Sequence, residues 1–139
     1  MTPLLVRARI LAGFVARVFG RLGVPAKDAA VAARSLVAAD LMGIDTHGIM
    51  RLEMYVAGLR SGAIAPRLNL KQIRANAVSS LLDAGHGLGL VVGARAMELA
   101  ILKARDHGVG MVAVRRSSHF GAAGVFSKMA LPKDRKSVV

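Results

Sequence analysis

Residues 79–114 read SSLLDAGHGLGLVVGARAMELAILKARDHGVGMVAV, and the order of patterns in this run decides the fold. Ser79 to Leu82 is a short stretch with strand character that stops at the turn residues Asp83-Ala84-Gly85. From Leu88 to Asp106 a helix is predicted, because Val92, Arg95, Ala96, Leu99, Ala100 and Lys103 sample successive turns and Gly108 supplies the stop. Met111 to Val114 then reads as a buried strand. Farther on, Gly121 to Ala130 has the pattern of one more helix, broken at Pro132.

Working back toward the start, Leu68, Leu70 and Ile73 fall in a short segment compatible with a strand, and everything before Pro66 is helical in pattern. Leu4, Leu5, Ala8, Leu11, Ala12, Val15, Val18 and Phe19 recur at helical spacing over residues 4–19. Gly20, Gly23 and Pro25 interrupt that helix. A second is predicted over Pro25 to Leu41, with Pro in the first turn, Asp28 complementing the dipole and Gly43 closing it. A third is predicted from about Thr46 to Leu59, ending at Ser61-Gly62. The chain therefore passes from all-helical to alternating helix and strand, which is a mixed α/β fold. Its expected parts are a helical segment over 1–65 and the start of a mixed α/β domain over 66–131.

Composition narrows the function classes. With 54% hydrophobic but only 4% aromatic residues, the core must be built from Ala, Val, Leu and Ile, which suits closely packed helices. No cysteine is present, so disulfides and thiolate metal sites are excluded; a reducing, cytoplasmic setting is expected. His47, His86, His107 and His119 lack ligand spacing, and no metal is expected. No uninterrupted apolar run approaches the roughly 20 residues a membrane span needs. The net charge of +12 raises a second reading, a basic helical module that binds nucleic acid or another polyanion. Against it, the arginines are spread through the chain and no aromatic stacking platforms interleave with them, so nucleic acid is not the expected partner.

Residues 132–139 are expected to be a non-native tail. Read back into codons, Asp134-Arg-Lys-Ser-Val-Val139 is what a widely used short-read sequencing adapter encodes in one frame, with a stop codon directly after. The alternative is a genuine short charged tail.

Two segments carry groups suited to chemistry. In Asp45-Thr-His47-Gly-Ile-Met-Arg51-Leu-Glu-Met-Tyr55, the His, Arg and Tyr fall at i, i+4 and i+8, which places them on one face if the segment is helical. Imidazole is the side chain best matched to proton transfer near neutral pH, and a guanidinium pairs with a carboxylate through a planar fork. If Asp45 or Thr46 caps that helix, His47 lies at its N-terminus, where the dipole disfavours the imidazolium. The plainer alternative is a helix whose His and Arg only cap and solvate. The second segment, Arg115-Arg116-Ser117-Ser118-His119-Phe120-Gly121, follows a predicted strand, a favoured place for functional groups. Ser117, Ser118 and His119 have groups for an anionic or hydroxyl substrate, and Gly121 offers a backbone N–H to a phosphate or carboxylate. Its alternative is a serine cap beside a surface histidine. A third stretch, Asp83-Ala-Gly85-His-Gly87-Leu-Gly89, does not match G-x-G-x-x-G and reads as a tight turn before a helix.

In this order the three segments resemble the malate/L-lactate dehydrogenase family, which includes ureidoglycolate, sulfolactate and diketogulonate enzymes. Asp40 through Gly48 is similar to the family's D-x-x-G-x-[DE]-[ST]-H-G signature; Arg51 and Tyr55 follow at its spacing, then Gly62 with Pro66, Asp83 with Gly85, and Ser118-His119-Phe120-Gly121. The resemblance implies a mixed α/β fold that is not a Rossmann fold, usually dimeric, so a homodimer is expected at full length. It implies hydride transfer between NAD or NADP and a small 2-hydroxy or 2-oxo acid. Thr46, His47, Arg51, Tyr55 and Ser118 would then belong to the substrate pocket. Members differ in which histidine acts as acid/base, so both His47 and His119 are retained, one to handle the proton and the other to orient substrate. Gly121 is a weak cofactor candidate. Members are more than twice this length and hold most of their nicotinamide-binding residues farther along, so this chain alone is expected to be inactive.

Overall fold

The computed structural model describes residues 5–133 and 136. Residue 4 of the first expected helix, and residues 134, 135 and 137–139 of the expected tail, lie outside the described residues.

Helix α1 (Ala8–Arg21) turns Val15 and Phe19, one helical turn apart, into the core. It packs along α2 (Ala26–Leu41), whose inner face is Ala29, Ala32, Ala33 and Leu36. Alanines on that face let the two helices approach closely, as the aromatic-poor composition requires. Pro25 precedes the first turn of α2 with Asp28 inside it, and the helix is released by Gly43 at φ +71°.

The third expected helix is corrected. In place of a continuous helix from Thr46 there are two short 3-10 turns, Asp45–His47 and Ile49–Arg51, and α3 begins only at Leu52, running to Ser61. Extended backbone at Gly48, with φ −84° and ψ −144°, separates the turns. The cause is Asp40, whose carboxylate reaches forward from α2 to accept the Ile49 N–H at 3.0 and 3.2 Å. Any side chain at position 48 would overlap that carboxylate. Neither Asp45 nor Thr46 caps a helix, and His47 does not lie at the start of α3.

The sheet has three strands in the order β1 (Lys71–Ala75), β2 (Ser79–Asp83), β3 (Met111–Arg115). β1 and β2 form an antiparallel hairpin, and β2 runs parallel to β3 in the register Ser79 with Met111 through Asp83 with Arg115. Parallel neighbours need a long crossover, here α4 (Gly89–His107), which ends at Gly108 in the left-handed conformation. β3 is not the buried strand expected: its residues alternate between exposed and half-buried. β1 begins at Lys71 and is exposed throughout. The final expected helix is shorter than its pattern: α5 covers Ala123–Ser127 and continues as a 3-10 turn, Lys128–Lys133. Pro132 has no N–H to return to the carbonyl of residue 128, so the α-helical pattern is not extended through it.

One apolar cluster joins the helical and mixed regions, with Phe19, Leu36 and Tyr55 fully buried beside Leu88, Leu90 and Val91 of the α4 start. At the far end of the sheet the buried Asp83 carboxylate is held by Arg115 Nε at 2.9 Å, Arg116 Nη2 at 2.8 Å and the Gly85 N–H at 3.0 Å. The Arg116 hydrogen bond, helped by the Gly85 N–H and Arg115 against the opposing effect of burial, brings its pKa down to about 2.

Two stability changes follow from this architecture. A carboxyl whose pKa is depressed on folding stabilises the native state above its unfolded value near 3.9, and that contribution is lost as the pH falls toward about 2. Asp83→Asn is therefore expected to lower the thermal midpoint by several degrees at neutral pH, with the gap to wild type narrowing below about pH 4. Gly89→Ala is expected to cost about 1–3 kcal/mol in denaturant unfolding, because its new methyl would press on the backbone carbonyls of Ser118 and His119.

Candidate functional site

Ser118 places the loop that follows β3. Its hydroxyl accepts the Gly89 N–H at 2.8 Å and donates to the Gly87 carbonyl at 3.1 Å. Gly89 opens α4, so its N–H has no partner within the helix and must find one elsewhere. The serine is thus a helix cap, supplied to α4 from 29 residues farther along the chain rather than to the helix after it. His119 follows immediately and is carried over the buried Tyr55.

Three elements converge there. The Tyr55 hydroxyl on α3 lies 2.7 Å from His119 Nδ1, and the Gly121 N–H donates to the same nitrogen at 3.2 Å. The His47 ring, from the first 3-10 turn, stacks on His119 with centroids 5.7 Å apart and planes at 25°. Arg51, from the second turn, donates through Nε to the Thr46 carbonyl at 2.6 Å, and among the described residues its two terminal nitrogens have no hydrogen-bond partner. Thr46 Oγ1 sits 2.9 Å from His47 Nδ1. His47, Arg51, Tyr55 and His119 are therefore assembled together, although His47 reaches the cluster by a kink and not along a shared helical face.

The cluster is electropositive and only part of it is shielded. Desolvation, with smaller contributions from His47 and Arg51, lowers the His119 pKa below the ordinary histidine value, so its neutral form persists to lower pH. Burial pushes the Tyr55 phenol well above the usual tyrosine range despite the opposing pull of Arg51. Tyr55 is a neutral hydrogen-bonding group at any physiological pH. It is fully buried, packed edge-on against Phe19 at 6.3 Å, and its one polar atom faces His119.

Sequence patterns alone did not identify three contributions to this site. Asp40 sets the kink, Gly89 admits the His119 loop, and Asp83 gathers Arg115 and Arg116 below it; their partners are separated by 9 to 33 positions. Among the described residues the Ser117 hydroxyl donates to the Ser118 carbonyl at 3.1 Å, and it stands outside the cluster. Gly121 has its N–H directed at His119, and its missing side chain leaves room for Leu90. A separate apolar groove of about 800 Å³ runs between α4, β3 and α5, lined by Val92, Met97, Ile101, Met111, Phe120 and Phe126. It borders Ser118 but not His47, Arg51 or His119.

The chain is similar to known proteins in both sequence and shape. Residues 6–138 match the family model described as malate/L-lactate dehydrogenase. The chain is 49% identical over 120 residues to malate dehydrogenase of Pyrococcus abyssi, covering 86% of this chain and 33% of the relative. It is 44% identical over 117 residues to L-sulfolactate dehydrogenase of Methanocaldococcus jannaschii, covering 84% and 34% respectively. The solved structure of malate dehydrogenase from Pyrococcus horikoshii superposes with a TM-score of 0.91 at 43% identity, covering 94% of this chain and 37% of that one. The chain spans about a third of the length of the curated relatives it matches. With the family match running through both the kinked His47 segment and the His119 loop, the chain belongs to the malate/L-lactate dehydrogenase family.

Proposed function

We propose that this chain is the N-terminal part of an NAD(P)-dependent oxidoreductase that acts on the CH–OH group of a small 2-hydroxy acid and forms a homodimer at full length. The observation that carries this reading is the pair of imidazoles 5.7 Å apart with Arg51 beside them. Family membership and relatives named as malate and sulfolactate dehydrogenases support it. Interconverting a 2-hydroxy and a 2-oxo acid requires a fixed carboxylate, a group that moves a proton at the C2 oxygen and a group that orients that oxygen.

In this reading the terminal nitrogens of Arg51 take the carboxylate, with Nε anchored on Thr46 so that little side-chain freedom is lost on binding. One of His47 and His119 moves the proton and the other orients the oxygen. Thr46 and Ser118 hold those histidines in place. A nicotinamide, NAD or NADP, supplies or accepts the hydride when bound. Because hydride transfer needs the cofactor held against the substrate, residues beyond the described ones must complete the site.

The test is kinetic. Arg51→Lys in the full-length protein is expected to raise the KM for the acid by about 10- to 100-fold, the equivalent of losing a charge-assisted bidentate contact, with a smaller change in kcat. A KM unchanged by that substitution would refute the assignment of Arg51, and His119→Ala that leaves turnover unaltered would remove His119 from the mechanism. The purified 139-residue chain, given malate or lactate with NAD and then NADP, is expected to show no change in nicotinamide absorbance; measurable turnover would contradict this.

A further inference from the structure

His119 Nδ1 meets two hydrogen-bonding groups, and one of them has no choice of role. The Gly121 backbone N–H, 3.2 Å away, can only donate, so Nδ1 accepts and carries no proton. The Tyr55 hydroxyl, 2.7 Å from the same nitrogen, must then donate as well. A neutral imidazole holds a single N–H, which leaves it on Nε2. Protonating Nδ1 would set its new N–H against that of Gly121 and force the Tyr55 hydroxyl to reverse. Tyr55 is fully buried, with its ring held against Phe19, so it has little freedom to find another partner. The other groups facing the ring, His47 from the first 3-10 turn and Arg51 from the second, also oppose a positive charge there.

We propose that Tyr55 and the Gly121 N–H form a positioning pair that fixes His119 as the neutral tautomer with its proton on Nε2, so that the ring meets substrate as a hydrogen-bond donor. The role in substrate binding rests on the dehydrogenase function proposed above. Given that function, Nε2–H is directed at the oxygen on C2, where negative charge develops during carbonyl reduction, as a neutral donor that needs no reorganisation. His47 differs in kind. Its Nδ1 meets the Thr46 hydroxyl, which either donates or accepts, so that contact imposes neither tautomer on the ring. The two histidines thus divide the labour: His119 orients the oxygen, and His47 moves the proton. Tyr55 is accordingly a positioning residue acting through His119 and not a group that touches substrate.

Nuclear magnetic resonance of the 139-residue chain, labelled with ¹⁵N at histidine, reads the tautomer directly through long-range couplings between ring nitrogens and ring hydrogens. The His119 signals are assigned by their loss in His119→Gln. At pH 7 to 8 wild type is expected to show an unprotonated Nδ1 and a protonated Nε2. Tyr55→Phe removes a donor to the neutral form, so the His119 midpoint is expected to rise by about half to one pH unit, the equivalent of one ordinary hydrogen bond. A proton found on Nδ1 in wild type overturns the proposal, as does a midpoint that stays or falls in Tyr55→Phe. The wild-type spectrum decides the tautomer even if that variant does not fold. No substrate or cofactor is involved: the wrong tautomer in a protein whose full-length form is active rejects the positioning pair alone, whereas the right tautomer with an inactive full-length protein rejects the dehydrogenase function alone.

Discussion

The first N–H of α4 needs a partner that its own helix does not contain, and the structure satisfies it with the hydroxyl of Ser118. The rest of the site depends on that contact. It draws the loop after β3 onto the start of α4, so closely that only glycine fits at position 89. Held there, His119 lands over Tyr55, and the phenol, which burial would otherwise leave without a polar partner, bonds the imidazole. A helix-capping requirement and a buried hydroxyl are met by one loop, and the result is a ring nitrogen fixed against the core.

The second half of the site answers a similar constraint from the other side. Asp40, near the end of α2, takes the N–H of Ile49 and in doing so forbids a continuous helix from Thr46. Gly43 releases α2, and Gly48 leaves room for the carboxylate. The spacing Asp40, Gly43, His47, Gly48 is thereby accounted for physically: two glycines and an acid bend the chain so that the one imidazole between them turns toward His119. Were the segment helical, His47 and Tyr55 would stand two turns apart along one axis, about 12 Å. The kink allows both to approach the same ring, at centroid distances of 5.7 and 5.9 Å.

Charge is distributed to fit. Asp83 neutralises part of the pair Arg115 and Arg116, which would otherwise stand as two uncompensated cations at the end of β3, and it does so from a buried position that fixes the turn into α4. No acid comparably balances Arg51 among the described residues; its Nε is satisfied by a backbone carbonyl, which leaves its charge available to an anion. A cationic group flanked by a histidine biased toward neutrality is the distribution that the proposed 2-hydroxy acid function would call for.

From the sequence alone came the helical first third, the strand–helix–strand order of residues 79–115, the turns at Gly43, Gly62 and Gly108, and the residues that form the cluster, because periodicity and glycine punctuation are local properties. The D-x-x-G-x-[DE]-[ST]-H-G spacing also carried the family. Tertiary structure decided how these residues meet. The helix expected from Thr46 became two turns because Asp40 competes for its backbone from nine residues away, and no helical period records such competition. β3 was expected to be buried, since an apolar run looks the same whether or not another layer covers it. The pairing of Tyr55 with His119 spans 64 positions and rests on two side chains, so nothing in either segment announces it, and the sequence could say which imidazoles were available but not which nitrogen would hold the proton.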